Sequence, residues 1–529
     1  MHCTSRLLGC LTVAVLALHA AKRMEAADAP RPNIVIVMAD DMGYSDLGCY
    51  GGEIDTPHLD RLAAGGVRFT QFYNTARCCP TRAALLTGVY QHQAGVGHMT
   101  GDFGVPSYQG FLNDRTVTIA EALRPAGYAT LMTGKWHVGS KPEQWPLQRG
   151  FEHYWGTPSG GGVYFKDTLK VRTNVFFTDG NQRIEAPDDL YVTDTFTDHA
   201  LRFIDGAVEA DKPFFLYLAH IAPHWPLQAK PQDIAKYEGR YEAGWDAIRQ
   251  ARYRKQLELG VVDPAWKLSE RDGQAKAWDA LDEAKREDLA RRMSIYAAQV
   301  DCIDQNIGRL VERLEKHGVL KNTLILFLSD NGCSAEGGPG GFSRGAKGAP
   351  IGTAESYASV GLEWANVCDT PYRKFKMDTH EGGIATPLIA HWPRGIERRG
   401  ALESTPGHVI DLLPTCVDVA GATYPDKRGG NSTIALEGRS LRPAMNGAAI
   451  ERDALYWEHQ GARAIREGDW KLVGPHNQPW ELYNLKSDRT ELRNLAKDEP
   501  QRVEALSAKW QAWATRAGVE PWPVKRADK

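Results

Sequence analysis

The stretch Ile34-Val35-Ile36-Val37-Met38-Ala39 is continuously apolar, rich in β-branched residues, and stops at Asp40-Asp41. A strand with one face in water alternates apolar and polar side chains. A strand buried on both faces does not, so this run predicts a strand inside a parallel sheet. Leu324-Ile325-Leu326-Phe327-Leu328-Ser329 repeats the pattern and ends in Asp330-Asn331-Gly332, and Phe214-Phe215-Leu216-Tyr217-Leu218-Ala219 runs into His220 and Pro223-His224. Open α/β sheets place their ligands beyond the carboxyl ends of such strands, where these polar residues stand.

Helical signals lie between the strands: Thr56–Gly65 with Pro57 near its start, Thr118–Ala126, and Met293–Lys316, where apolar residues recur at three and four. The alternation predicts an α/β fold whose large domain holds a mainly parallel mixed sheet flanked by helices. The charged, Trp-bearing stretch Ala243–Arg292 reads as a solvated flank, helical in places, and the glycine-rich Gly337–Gly352 as a mobile surface loop. After about Ala448 the pattern changes to short strand-like pieces, Ala454–Trp457, Ala462–Ile465, Trp470–Val473 and Glu481–Asn484, and then a helix near Pro500–Ala517. This predicts a small C-terminal antiparallel sheet with one covering helix. The expected division is a signal peptide at 1–29, a catalytic α/β domain at 30–447 and a small α+β domain at 448–529.

The 529 residues carry 63 basic and 66 acidic side chains, net −3, with 42% hydrophobic and 24% charged residues. That is ordinary globular composition, and the absence of a basic excess argues against nucleic-acid binding. Arg6, the apolar run Leu7–Leu18 and small residues around Ala20–Ala21 and Ala26–Ala27 read as a secretory signal, so the chain is expected to be exported to the periplasm or medium. No later stretch approaches the length of a membrane span. With Cys3 and Cys10 in the leader, seven of nine cysteines remain, an odd number that implies a leftover or consumed thiol.

Ala76-Arg77-Cys78-Cys79-Pro80-Thr81-Arg82-Ala83-Ala84-Leu85-Leu86-Thr87-Gly88 resembles the sulfatase signature, Cys-x-Pro-Ser/Thr-Arg followed by a short apolar stretch and Thr-Gly. Pro80 and Arg82 set the register on Cys78 and leave Cys79 at the variable position. Arg77 departs from the small or apolar residue usual before the cysteine. Gly134-Lys135-Trp136-His137-Val138-Gly139 resembles the family's Gly-Lys-Trp-His-Leu-Gly element. Ala222-Pro223-His224-Trp225-Pro226-Leu227, and Lys376 five residues before Glu381-Gly382-Gly383, resemble the segments that bring its second histidine and second lysine. Lys374 lies close enough to substitute for Lys376. The resemblance spans nearly the whole mature chain, is strongest to the larger bacterial arylsulfatases, and implies a member of the alkaline phosphatase superfamily.

The resemblance implies that Cys78 is oxidised to formylglycine by a formylglycine-generating enzyme. The hydrated aldehyde, activated by a metal and Asp330, would attack sulfur; His224, with Lys376 beside it, would protonate the leaving alcohol, and His137 would act as the base that releases sulfate. The residues carry an argument of their own. Asp40, Asp41, Asp330 and the amide of Asn331 form an all-oxygen set suited to a hard cation, Ca2+ or Mg2+, with Cys78 as a further ligand in the family pattern. Arg82, Lys135 and Lys376 add positive charge around a small tetrahedral anion. The expected activity is hydrolysis of a sulfate monoester of a small molecule or carbohydrate, with Tyr154–Phe177 and Gly337–Cys368 choosing the leaving group. A phosphonate monoester or phosphodiester hydrolase, and a non-catalytic binder of sulfated glycans, are the alternatives.

Overall fold

Eleven strands build the main sheet of the computed structural model, which describes residues 31–525; the expected signal peptide lies outside the described residues. In chain order they are β1 (Asn33–Asp40), β2 (Val67–Tyr73), β3 (Ala129–Lys135), β4 (His153–Thr157), β5 (Phe177–Asp179), β6 (Gln182–Ile184), β7 (Phe214–Pro223), β8 (Thr323–Ser329), β9 (Ala385–His391), β10 (Ala401–Glu403) and β11 (Gly407–His408). The spatial order is β10-β2-β9-β8-β1-β7-β3-β4-β5-β6, with β11 also on β2. β8, β1, β7, β3 and β4 are mutually parallel, whereas β9 runs antiparallel to both β8 and β2. The sheet is therefore mixed with a parallel centre.

Ile34 to Ala39 are fully buried between β7 and β8, as a strand without alternation requires. Register then decides function. Ala39 lies opposite Ser329, and Gly134 opposite Ala219, while an irregularity after Met38 pairs Asp40 with Pro223. The segments Asp40-Asp41, Asp330-Asn331, Lys135 and His224 thus leave the sheet at one edge.

The helix Pro57–Ala64 starts on its proline, and the Asp304 carboxylate accepts from the backbone N–H groups of His58 (3.1 Å) and Leu59 (2.7 Å) at its first turn. Thr118 and Glu121 form a capping box at the start of Ile119–Leu123. The long helix covers Glu283–Lys316 and starts ten residues before the apolar periodicity does, because Asp282 caps it there.

The stretch Ala243–Arg292 is not the solvated flank its charge suggests. Trp245 and Trp278 are buried edge-to-face with centroids 4.6 Å apart, both pack on Trp364, and Trp266 donates its indole N–H to the Lys486 carbonyl at 3.1 Å. Burial of large aromatic rings outweighs the charged residues between them. Ser343–Gly345 of the glycine-rich segment pairs antiparallel with Ser356–Ala358 just beyond it, so part of the expected loop is one exposed strand of a short hairpin whose other strand is buried.

Toward the C-terminus, β12 (Leu455–His459), β13 (Ala462–Glu467), β14 (Trp470–Gly474) and β15 (Glu481–Asn484) form an antiparallel sheet, followed by the helix Pro500–Ala517. A buried charge cluster joins this sheet to the large one. Lys471 contacts Glu381 and Glu491, each at 2.8 Å, and Arg489 and Tyr73 each reach Glu381 at 2.9 Å.

Candidate active site

Asp41 sits just past β1 with φ 67°, a left-handed conformation uncommon for non-glycine residues and most accessible to Asp and Asn among them. Its backbone N–H donates to Asp330 Oδ1 at 3.3 Å, and its carbonyl accepts from the Tyr296 hydroxyl at 3.2 Å. Gly43 follows, where a Cβ would lie 2.4 Å from the Cys368 carbonyl carbon, so only glycine fits. Asp46 accepts from the Gly43 N–H at 2.8 Å and the Tyr296 hydroxyl at 2.7 Å, and pairs with Arg252 at 2.7 Å. Arg252 belongs to the stretch Ala243–Arg292, which thereby props the turn from beneath.

Cys78 opens the helix Cys78–Thr87, every residue of which is buried. Ala76 just before it has φ 66°, held by the Asn74 side-chain oxygen, which accepts from the Ala76 N–H at 2.8 Å. The signature residues divide their tasks along this helix. Thr81 accepts from the Thr75 N–H at 3.0 Å and fixes the entry, while Arg82 points into the strand ends. Its guanidinium meets Asp330 Oδ2 at 2.7 and 3.0 Å, Asp40 Oδ2 at 3.4 Å and the Lys135 carbonyl at 2.9 Å.

All ten residues expected from sequence are buried at this edge. Lys135 Nζ lies 2.6 Å from Asp40 Oδ2, and Lys376 Nζ 2.8 Å from Asp41 Oδ2. Lys374 turns away to Asp272 at 3.5 Å. His224 Nε2 is 3.6 Å from Asp41 Oδ2, while its Nδ1 bonds the Trp225 carbonyl at 2.6 Å. A carbonyl only accepts, so Nδ1 carries the hydrogen and Nε2 faces the site. His137, at φ 58°, has ligand-type atoms within 4.8 Å of the Cys78 and Cys79 sulfurs.

Electrostatically the cluster is divided. Burial raises the Asp40 carboxyl, but Lys135, His224 and Arg82 outweigh it and leave the group below its usual range. Burial and the neighbouring Asp40 push Asp330 up to about 8. A hydrogen bond from Cys79 holds the Cys78 thiol well below the usual thiol range against its burial, with Lys135 and His137 assisting. Burial, then Lys135, lower His137 to about 4.

Asn331 donates its amide N–H to Asp41 Oδ1 at 2.6 Å, yet Asn331 Oδ1 and Asp40 Oδ1 are buried with no hydrogen-bond partner. Orphaned buried oxygens are costly unless a cation takes them up. Asp40, Asp41 and His224 bring ligand atoms within 4.8 Å of one another. The oxygen-rich donor set fits a hard divalent ion.

Three further residues belong to this edge. Glu336 contacts Lys376 at 3.4 Å and Arg77 at 3.3 Å, and accepts the indole N–H of Trp225. Burial raises its carboxyl, but Lys376, Arg77 and His224 overcome this and hold it at about 2. Glu336 lies immediately before the glycine-rich Gly337–Gly352, where no periodicity or motif runs, so no sequence signal marked it. Arg77 carried one, as the departure from the usual residue before the cysteine.

A comparison with family models matches the sulfatase family over residues 32–422. The chain belongs to the sulfatase family. A second model, the N-sulphoglucosamine sulphohydrolase C-terminal region, matches residues 373–511 of this sulfatase. It is 34% identical over 534 residues to an uncharacterized sulfatase of Schizosaccharomyces pombe, covering 94% of this chain and 96% of that one. It is 35% identical over 431 residues to the arylsulfatase of Klebsiella aerogenes, covering 79% and 92%. Among solved structures, Ps i-CgsB superposes with a TM-score of 0.69 at 27% identity, covering 92% of this sulfatase and 93% of that chain, and has also been crystallised with k-i-k-neocarrahexaose. The sulfatase is a hydrolase of sulfate esters with the α/β fold of its family. Among the described residues no helix is long and apolar enough to cross a membrane.

Proposed function

We propose that this sulfatase cleaves a sulfate monoester of a carbohydrate, using formylglycine made from Cys78 and one divalent ion, Ca2+ in preference to Mg2+. The observation that carries this reading is the pair of orphaned oxygens, Asp40 Oδ1 and Asn331 Oδ1, at the strand ends where Cys78 opens its helix. Asp40, Asp41, Asp330 and Asn331, with the residue-78 side chain, would hold the ion. When bound, the ion and the formylglycine would supply an activated oxygen nucleophile at position 78.

The chain's own residues do the rest. Lys135 and Lys376 sit on the carboxylates with ammonium protons to spare for sulfate oxygens, while Arg82 fixes Asp330 and Asp40 in place. His224, oriented through Nδ1, gives a proton from Nε2 to the leaving oxygen with Lys376 beside it. His137 stands beside residue 78 to accept a proton when sulfate departs. The mature chain in this reading has a catalytic region to about residue 447 and a small C-terminal region beyond it, and is exported after maturation by a formylglycine-generating enzyme. The carbohydrate assignment is supported by the likeness to Ps i-CgsB.

The test is the protein coexpressed with a formylglycine-generating enzyme and assayed on 4-nitrophenyl sulfate and the matching phosphonate and phosphodiester. A sulfate preference is expected. Cys78→Ala abolishes turnover, whereas Cys79→Ala retains most of it, and peptide mass spectrometry finds the aldehyde at position 78 alone. Equal loss in both variants would show that the nucleophile is misassigned. A preference for either phosphorus ester would overturn the substrate assignment.

A further inference from the structure

Beside the proposed proton donor His224, Trp225 forms one side of an aromatic wall. Its ring meets Phe342 at 5.4 Å and Tyr357 at 5.7 Å, both edge-on, while Phe342 and Tyr357 lie nearly parallel with centroids 6.4 Å apart. Trp225 and Phe342 are half-buried and Tyr357 is 5% exposed, yet the Tyr357 hydroxyl has no hydrogen-bond partner. Two arginines ride on the rings. The Arg172 guanidinium lies 5.9 Å from the Trp225 centroid, and that of Arg344 lies 4.7 Å from Phe342. Neither has a carboxylate partner among the described residues, and Arg172 Nε is buried without an acceptor.

The wall is continuous with the reaction centre. Trp225 donates to Glu336, which holds Lys376, which in turn holds Asp41. On the other side, a Cβ on Gly162 would come within 3.1 Å of the Tyr357 hydroxyl, and one on Gly160 within 2.8 Å of His137 Nε2. The backbone 160–162 therefore bridges the histidine beside Cys78 and the wall. Arg172 comes from one of the two loops expected to choose the leaving group, and Phe342, Arg344 and Tyr357 come from the other.

We propose that Arg172 and Arg344, carried on the wall of Trp225, Phe342 and Tyr357, form a subsite for a second anionic group on the leaving alcohol. The preferred ester is then one whose alcohol, a sugar unit, itself bears a sulfate or a carboxylate. Aromatic faces suit the apolar face of a sugar ring, and a guanidinium without a carboxylate partner suits either anion through paired N–H donors. This inference rests on the hydrolytic reading above.

The experiment compares kcat/KM of the formylglycine-bearing protein on a monosulfated disaccharide, its disulfated counterpart and its uronate-bearing counterpart, with 4-nitrophenyl sulfate as reference. The doubly anionic sugars should exceed the monosulfated one by about tenfold or more, mainly through KM. Arg172→Ala and Arg344→Ala should each reduce that ratio by about tenfold, while Lys347→Ala on the same hairpin keeps it. The disulfated and uronate arms identify which anion is read. A ratio near one in the parent protein overturns the subsite. So does an unchanged ratio in both arginine variants, or an equal loss on all substrates, which would make the arginines props of the wall. A parent protein inactive on every sulfate ester, 4-nitrophenyl sulfate included, overturns the hydrolytic reading itself.

Discussion

Trp457 donates its indole N–H to the backbone carbonyl of Asn74 at 2.7 Å, so a strand of the C-terminal sheet is hydrogen-bonded to the segment that leads into the Cys78 helix. Asn74 also holds Ala76 in its left-handed conformation. The small sheet therefore buttresses the segment leading into Cys78, the proposed nucleophile position, as well as covering the large one. Trp457→Phe keeps an aromatic side chain but removes the indole N–H donor to this buried carbonyl, which costs about 1–3 kcal/mol. Denaturant unfolding should show that loss, and kcat should fall with it, whereas a purely peripheral sheet would leave kcat unchanged.

Chelation should separate binding of the cation from turnover. Treatment with EGTA or EDTA is expected to abolish activity and lower the thermal midpoint, and Ca2+ at a hundredfold excess over its Kd should restore about 2.7 kcal/mol. Asp330→Ala should lose this thermal response. A midpoint insensitive to chelator and to added cation would remove the metal from the assignment.

Lys471 is the sole cation in contact with both Glu381 and Glu491 among the described residues, and all three are fully buried. Replacing it with methionine preserves volume but leaves two carboxylates facing each other. Removal of one partner of a buried pair costs about 3–5 kcal/mol. Lys471→Met should show that loss in urea titration, and a change under about 1 kcal/mol would mean that water reaches the cluster.

The same cluster predicts an acid limb of stability. Burial raises the Glu381 carboxyl, but Lys471, Arg489 and Arg466 overcome it and hold the group at about 2, below its usual 4.5. A carboxyl depressed on folding stabilises the protein above its unfolded pKa, and that contribution fades as pH falls from about 4.5 through about 2. It amounts to on the order of 3 kcal/mol. Stability measured across this window should fall more steeply in the parent than in Glu381→Gln, and parallel curves would contradict the assignment.

The fold was legible where burial was total. Ile34–Ala39 and Leu324–Ser329 lack alternation because both faces are covered, and their abrupt polar ends marked the site edge. The four short C-terminal strands and their helix were legible through turn residues, within a residue or two at each end. What sequence could not show depends on distant partners. Arg252 reads as one charge among many until the fold sets it against Asp46, and Trp245 and Trp278 read as isolated rings until Trp364 joins them. Glu336 becomes part of the site only through contacts with Arg77, Trp225 and Lys376, each supplied by a different segment.

Under the proposed conversion of Cys78 to formylglycine, the burial of its helix sets an order of events in the life of the chain. Cys78 is 2% exposed, and Pro80, Thr81 and Arg82 are equally enclosed. A modifying enzyme that reads these residues as a linear tag cannot grip them once the sheet has closed. Maturation would then be a race against folding: the tag would be offered on the nascent or still extended chain and withdrawn afterwards. On that reading a chain that folds first would be trapped as a well-formed but inert thiol protein, so conditions that hasten folding during expression should lower the active fraction without lowering yield.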